Sequence, residues 1–596
     1  MSRTLHTITL SVTLQAPYLV HGNDAGRFGL DATLLFDHLD RPIIPGTLLA
    51  GRIAEAWRSY GAQLGQPNAS AWLGQADQSS NNTQQRARMQ VADLVLSRIN
   101  GQDASAACAL HHTEVARTAL DDDTGSVTQG ALLITEQISD SGAALTFEGT
   151  WHTWAEAEEV KTLVQQLRAA LLVQTQLGAY RGVGFGRLLD CRVNAQSAPA
   201  SPYLHLPACS KLRLGLQFDA PICVNTTSRR GNVFVSGDVI PGSTLLGALA
   251  QTLLQLHAAS RLTDITGSAL AQHFDALRCT HALPSTPGGG RPMPLPQSLI
   301  AIDSEVLDVY PISVAGTFVK APAFQTDWKS GTFKTASQDQ GWRNTARHLR
   351  VRTAMLDGKA AEGQLFAYDC IYAAPATPVQ WQFDLDLSAV PESAQPAVRQ
   401  ELAKLLRHGL GPIGKTDARA KVDVIAHAQN VWPSRLDAKA QQLKVGELVP
   451  MVLTSDALLF ATDAIANQTN LDLTTLYRNA FDDLSAQAGY SDTLTLSHFF
   501  ATQQLCGGES LHRRYLHQKS PAYQPLALTQ AGSVFVFKVN DPDTATKLLR
   551  HWQDHGLSLP QAVQQRHGQT WRDHPYIAQN GYGEVVVQAT LPFKAL

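Results

Sequence analysis

One pattern occurs twice in this chain of 596 residues and restricts what it can fold into: an alternating strand, a proline, a glycine-containing loop, then Ile-Pro-Gly leading into a helix. In the first copy Ile8, Leu10, Val12 and Leu14 alternate with Thr9, Ser11 and Thr13 and stop at Pro17. Ile44-Pro45-Gly46-Thr47 follows, with Leu48, Leu49 and Gly51 behind it. In the second copy Leu212, Leu214, Leu216 and Phe218 stop at Pro221, and Ile240-Pro241-Gly242-Ser243 leads into Leu245, Leu246 and Gly247. A period of two predicts half-buried strands. Thr47 or Ser243 can cap a helix whose apolar positions (Leu49, Ile53, Trp57; Leu246, Leu249, Leu253) fall near helical spacing. Gly46 and Gly242 let the backbone come close to another group, and the helix N-terminus behind each presents unpaired N–H groups and a positive dipole end suited to phosphate. The plain alternative is a loop entering a helix.

Such a length exceeds one core and predicts three or four domains. Hydrophobic residues at 44% against 17% charged describe a globular chain able to bury ample apolar surface. The N-terminus alternates rather than forming a signal segment, and no run is apolar enough to cross a bilayer. The seven cysteines lie far apart without a CxxC pair, which argues against zinc and against a disulfide framework and points to a reducing cytoplasm. A formal net charge of -3 gives no overall footprint for nucleic acid, so any such binding must use local clusters. Those are Arg229-Arg230; Lys329, Lys334, Arg343, Arg347, Arg350 and Arg352; Arg407, Lys415, Arg419 and Lys421; and Arg513-Arg514.

Between the first strand and helix, His21 to Arg41 carries Gly22, Gly26 and Gly29 and four aspartates, Asp24, Asp31, Asp37 and Asp40. A loop of that length is commonly functional. Residues 66–88 read as a polar insertion. Strands are expected over Val91 to Leu96, and over Ala131 to Gln137 and Ala144 to Gly149, the last two joined by a Ser-Gly turn. Glu156 to Leu177 has helical periodicity and runs into Tyr180-Arg-Gly-Val-Gly-Phe-Gly-Arg187. Its glycines, Gly182, Gly184 and Gly186, follow a helix and precede a strand, the reverse of a dinucleotide fingerprint, yet with Arg181 and Arg187 they can cradle phosphates. A Pro/Ser/Ala linker spans 197–209. The excursion near 310–352 mixes Phe318, Phe324, Trp328, Phe333 and Trp342 with cations, a composition suited to stacking on unpaired bases. A second glycine-rich basic turn lies in 405–421, and a third unit runs from about 440 to 596. His551 and His555 lack the glutamate of a zinc hydrolase helix and read as surface histidines.

Strand, glycine loop, Ile-Pro-Gly helix, then a helix leading to a glycine-rich turn and strand, in repeated order, resembles the RAMP superfamily of CRISPR effector subunits. Residues 1–196, through Leu30-Asp31, Arg41-Pro-Ile-Ile-Pro-Gly46, Asp123-Thr-Gly125, Thr135-Glu136 and Arg181 to Arg187, resemble the family-seven backbone subunit of type III effectors. The stretch from 210 onward, through Val239-Ile-Pro-Gly-Ser243, Arg352-Thr-Ala354, Ala361 to Phe366, Leu453-Thr-Ser-Asp456 and Gly532 to Phe537, is similar to the type III-D subunit in the family-five role, which holds the 5′ tag of the guide. Ala50 stands where the backbone family often has Lys, and Pro412 and Ile413 interrupt the second glycine turn.

The resemblance implies an α+β chain of tandem ferredoxin-like (RRM-like) domains: 1–196, with the insertion near 66–88; 210–430; and 440–596. It implies a cytoplasmic subunit, away from membranes, that binds guide RNA and other effector subunits and cuts complementary target RNA with Mg²⁺ or another divalent cation. Asp31 is then the metal-holding catalytic residue, with Asp24 as runner-up. Gly46, Thr47, Arg52, Arg181, Gly182, Gly184, Gly186, Arg187, Arg229, Arg230, Gly242, Ser243, Lys415 and Arg419 are the RNA-binding candidates. Two alternatives stand beside it: a non-catalytic guide-binding scaffold, and a guide-processing endoribonuclease using histidine acid/base chemistry, for which His21 and His38 are the loop residues at hand.

Overall fold

Alternation along the first strand, β1 (Thr4–Gln15), puts Leu10, Val12 and Leu14 at 0% exposure, so one face of β1 must be covered by apolar groups. Helix α1 (Gly46–Ser59) supplies Leu49, Ile53, Ala56 and Trp57 to that face. The chain continues through β2 (Leu94–Ile99), a separate two-stranded hairpin of β3 (His112–Arg117) and β4 (Leu133–Ile138), β5 (Ala144–Ala155), α2 (Ala157–Leu172) and β6 (Arg187–Ser197). Helix α2 opens with a capping box in which Glu156 and Glu159 satisfy each other's backbone N–H. The main sheet is antiparallel in the order β6-β1-β5-β2. This computed structural model describes residues 3–22, 29–74, 86–104, 112–121, 123–138, 142–199, 204–228, 232–302, 305–311, 331–356, 359–425, 430–437, 442–466, 472–507, 511, 515, 525–588 and 593–595.

The same connectivity recurs twice. Next come β7 (Lys211–Phe218), β8 (Asn225–Ser228), β9 (Val233–Ser236), α3 (Gly242–His257), β10 (Arg278–Cys279), β11 (Ala346–Leu356), β12 (Lys359–Tyr372), β13 (Gln380–Asp386), α4 (Gln395–Leu406) and β14 (Ala418–Val424). Their core sheet runs β10-β13-β7-β14, while β8, β9, β12 and β11 form a second sheet beside it. Last come β15 (Leu448–Leu453), α5 (Leu473–Gln487), β16 (Leu494–Phe500), β17 (Val534–Val539), α6 (Pro542–His555) and β18 (Val585–Val587), ordered β16-β17-β15-β18. Each unit thus reads strand, helix, two strands, helix, strand, with the first strand between the third and the fourth. Three apolar clusters, one under each unit's core sheet, fill the units. The fold class is α+β, as expected.

Ala131 to Gln137 and Ala144 to Gly149 fall in strands, as expected, but the two strands belong to different sheets. Both edges of β5 are taken, by β1 and β2, so β4 pairs instead with β3, a strand that the sequence reading missed.

Polar side chains stitch the units together. Between the first and second, Arg419 donates to Gln90 Oε1 (2.7 Å) and to the His408 carbonyl (2.6 Å), and Trp154 meets the His408 ring edge-on at 5.6 Å. Between the second and third, Arg291 makes a two-pronged pair with Glu584 (2.7 and 3.0 Å), and Arg278 donates to the carbonyls of Asp554 and Ala578.

Burial pushes three histidines at these junctions down to about 4: His152, with Arg419 beside it; His408, with Arg407 and Arg419; and His281, whose Nδ1 accepts the Gly242 N–H. A folded-state value below the ordinary 6.5 means the folded chain takes up protons less readily than the unfolded one. Stability is therefore full above about pH 6.5 and declines as pH falls toward 4. Thermal unfolding should show a lower midpoint at pH 5 than at pH 7, with a shallower decline in the double variant His152→Asn, His408→Asn. An unchanged decline would remove this junction from the pH response.

Candidate nucleic-acid interface

The two Ile-Pro-Gly turns need glycine for a reason visible in each. A Cβ on Gly46 would lie 2.3 Å from the Ala92 carbonyl oxygen, and one on Gly242 would lie 2.1 Å from that of Cys279. In both units the helix starts hard against the second core strand, so the close approach is to the chain itself. The first N–H groups are also taken internally: Gly46 N–H donates to Asp93 Oδ1 (2.9 Å) and Gly242 N–H to His281. Those two groups were expected to face phosphate and do not. Gly242 is further covered by the third unit, since its Cβ would lie 2.6 Å from the Asn580 carbonyl oxygen.

What lies over the start of α1 is a pair of arginines on β11. Arg350 pairs with the other oxygen of Asp93, and Arg352 donates to the hydroxyl of exposed Thr47. No acidic residue occupies the first turn of α1. A helix N-terminus and two guanidiniums therefore face one carboxylate, and Arg352 has no ion-pair partner among the described residues. His38 packs edge-on against Tyr372 at 4.8 Å, joining the aspartate loop to the same place.

The four loop aspartates separate by environment. Asp37 is 6% exposed and clasped by Arg41 (Nε 2.9 Å, Nη2 2.6 Å) and by the N–H groups of Leu39 and Arg41. Burial would push its carboxyl up, but those bonds outweigh it and hold it below the usual range. It shapes the loop. Asp40 sits in the left-handed region at φ 57° and makes the turn. Asp31 is exposed, and its backbone and carboxylate both bond Ile134 on β4, the N–H of Ile134 reaching Oδ2 at 2.7 Å. Asp24 lies outside the described residues.

The glycine-rich turn splits into a packed base and an open tip. Gly186, at φ 61°, admits no side chain because a Cβ would lie 1.9 Å from the Leu177 carbonyl oxygen. Gly182 and Gly184 face open space, and Arg181 and Arg187 are exposed without ion pairs among the described residues. Arg117 of β3 lies over the rings of Tyr180 (4.8 Å) and Phe185 (4.6 Å), and His21 stands 6.2 Å from Tyr180. One contact chain therefore links Asp31, the β3–β4 hairpin and the glycine turn. Arg117, Tyr180 and Phe185 were missed by the sequence reading, although two aromatics bracketing a glycine turn were a usable signal.

The remaining candidates divide. Lys415 extends over the Phe234 ring at 4.2 Å, with its charge exposed. Arg52 pairs with Glu55 on the helix surface, and half-buried Ser243 is the second residue of α3, whose N-cap is Pro241 with no side-chain capping bond. Arg419 is committed to the junction described above. Arg229, Arg230, Arg513, Arg514, Phe318, Phe324 and Trp328 lie outside the described residues.

Among the described residues no group of three His, Cys, Asp or Glu side chains could hold a metal ion, and no helix is long and apolar enough to cross a membrane. No protein-family model and no curated protein matches the chain. Among solved structures, a chain of the type III-B Cmr-β complex bound to cognate target RNA is similar over 32% of this chain and 61% of its own length, at 14% identity and a TM-score of 0.23. A chain of apo type III-B Cmr-β is similar over 32% of this chain and 97% of its own, at 12% identity and a TM-score of 0.23. The match thus spans less than two thirds of the first of these chains.

Proposed function

We propose that this chain is a subunit of a type III CRISPR ribonucleoprotein effector: a fusion of backbone-type and family-five-type units that binds guide RNA and cuts complementary target RNA. The observation that carries the reading is the threefold strand-helix-strand-strand-helix-strand connectivity, whose strand order is that of ferredoxin-like, RNA-recognition-type domains. Cations near the surface support it. Exposed Arg181, Arg187 and Lys415, with half-buried Arg352, stand at glycine turns or a helix start on a chain with little net charge, the arrangement a localised phosphate track requires.

Asp31 is the carboxylate we assign to metal-dependent cutting. A single carboxylate suits Mg²⁺ when water and RNA oxygens complete its shell, and the ion would supply charge stabilisation at the phosphate. The chain's own part is positional: the bond from Ile134 fixes the Asp31 carboxylate on the edge of β4. That same bond favours a second reading, in which Asp31 is a structural tie and the chain is a guide-binding scaffold.

Sequencing the RNA that copurifies with the protein tests the central reading. Short species sharing a 5′ tag are expected, and random RNA would overturn it. Changing Arg181 and Arg187 together to Ala should weaken RNA binding and flatten its dependence on salt by about two counter-ions. Unchanged affinity would remove the glycine turn from the site.

A further inference from the structure

Two cysteines 147 positions apart in sequence, Cys223 and Cys370, meet in the second unit. Ile222 and Ile371 form an antiparallel bridge and exchange both backbone hydrogen bonds at 2.9 Å. One step along each strand brings Cys223 opposite Cys370 at a non-hydrogen-bonded position, where Cα atoms stand about 4.5 Å apart and side chains are closest. That separation lies at the short end of the range that disulfides span. Both residues are at 0% exposure, and each thiol donates to a backbone carbonyl beside it, Cys223 Sγ to that of Phe234 (3.7 Å) and Cys370 Sγ to that of Tyr368 (3.7 Å).

We propose that Cys223 and Cys370 form an oxidative modification site, a reversible cross-strand disulfide made when the chain meets a peroxide. Neither residue belongs to the RNA contacts assigned above, so the inference stands independently of that reading.

The surroundings give the thiols unequal roles. Contact with Cys370 and the nearby Lys415 charge lower the Cys223 thiol against the opposing effect of burial. The same contact and burial push the Cys370 thiol up. Cys223 is therefore the attacking thiolate and Cys370 the resolving thiol. Cys223 Sγ attacks one oxygen of hydrogen peroxide, the O–O bond breaks, and a sulfenic acid and water result. Cys370 Sγ then attacks that sulfur and releases the second water, so two thiols and one peroxide give one disulfide and two waters. Burial slows the first step but gives the sulfenic acid only one thiol to meet. The bond would tie the segment entering the β8–β9 hairpin to β12, the strand paired with the one that carries Arg350 and Arg352.

The test uses the full wild-type chain, reduced and then treated with hydrogen peroxide, with cysteine state mapped by peptide mass. A peptide pair linked through Cys223 and Cys370, lighter by two hydrogens and separated by dithiothreitol, is expected, and the number of titratable thiols should fall from seven to five. The oxidised chain should also unfold at a higher temperature than the reduced one, and dithiothreitol should reverse the shift. The proposal is overturned if both residues stay reduced while exposed Cys209 is oxidised, or if either is found in over-oxidised form without the link. Because every readout uses unmutated protein, a folding defect in a variant cannot obscure the answer.

Discussion

Replacing Arg291 by Ala should destabilise the joint between the second and third units by about 3–5 kcal/mol, the usual cost of stranding one member of a buried ion pair. Arg291 is 5% exposed, grips Glu584 with two nitrogens and reaches the His281 carbonyl with one of them (2.9 Å). Glu584 follows the turn Gly581-Tyr-Gly583, which lies against the second unit's Ile-Pro-Gly helix start, so the pair fixes the seating of one unit on the next. Burial alone would push the Glu584 carboxyl up; Arg291 overrides it and holds the group down at about 2. A folded-state value below the unfolded one contributes stability that is complete above the ordinary carboxyl range and is lost as pH falls from about 4.5 toward 2. Denaturant unfolding should therefore show a large loss for Arg291→Ala at pH 7, shrinking at pH 3. Exchanging both partners for apolar residues, Arg291→Met with Glu584→Leu, should recover most of the loss. A loss under about 1 kcal/mol in the single variant would mean that the pair does not hold the units together.

Changing Asp31 to Asn should abolish one specific cut in target RNA, slowing it by about a hundredfold or more, while guide and target binding stay near wild type. Asn keeps an oxygen able to accept the Ile134 N–H, so the loop stays tied to β4 and only the charge is lost. Ala removes both, and a comparison of the two separates metal holding from positioning. The measurement needs the assembled complex with Mg²⁺, because other catalytic subunits can leave other cuts intact. If every cut persists in Asp31→Asn, Asp31→Ala and Asp24→Ala, the scaffold reading replaces the nuclease reading.

Local pattern alone determined much of the chain. The alternation of Ile8 to Leu14 and Leu212 to Phe218, the helical spacing after Gly46 and Gly242, and the periodic run into the glycine turn at 181–187 each depend on near neighbours. Each is found as an element close to where the residues place it. What the sequence could not carry is the identity of partners far along the chain. It shows that Gly46 must approach something. Only the packing of α1 on the second core strand makes that group the Ala92 carbonyl and gives the Gly46 N–H to Asp93, 47 positions away. It shows arginines at 350 and 352, and only the placement of the β11–β12 hairpin brings Arg352 to Thr47, 305 positions away. Four aspartates in one loop are equivalent as letters; Arg41 turns Asp37 into a structural clasp, and β4 holds Asp31. Cysteines read as scattered become a facing pair for the same reason. Periodicity is set by the backbone repeat and survives in one dimension. Pairing is set by which strand edges remain open once each sheet has closed around its core.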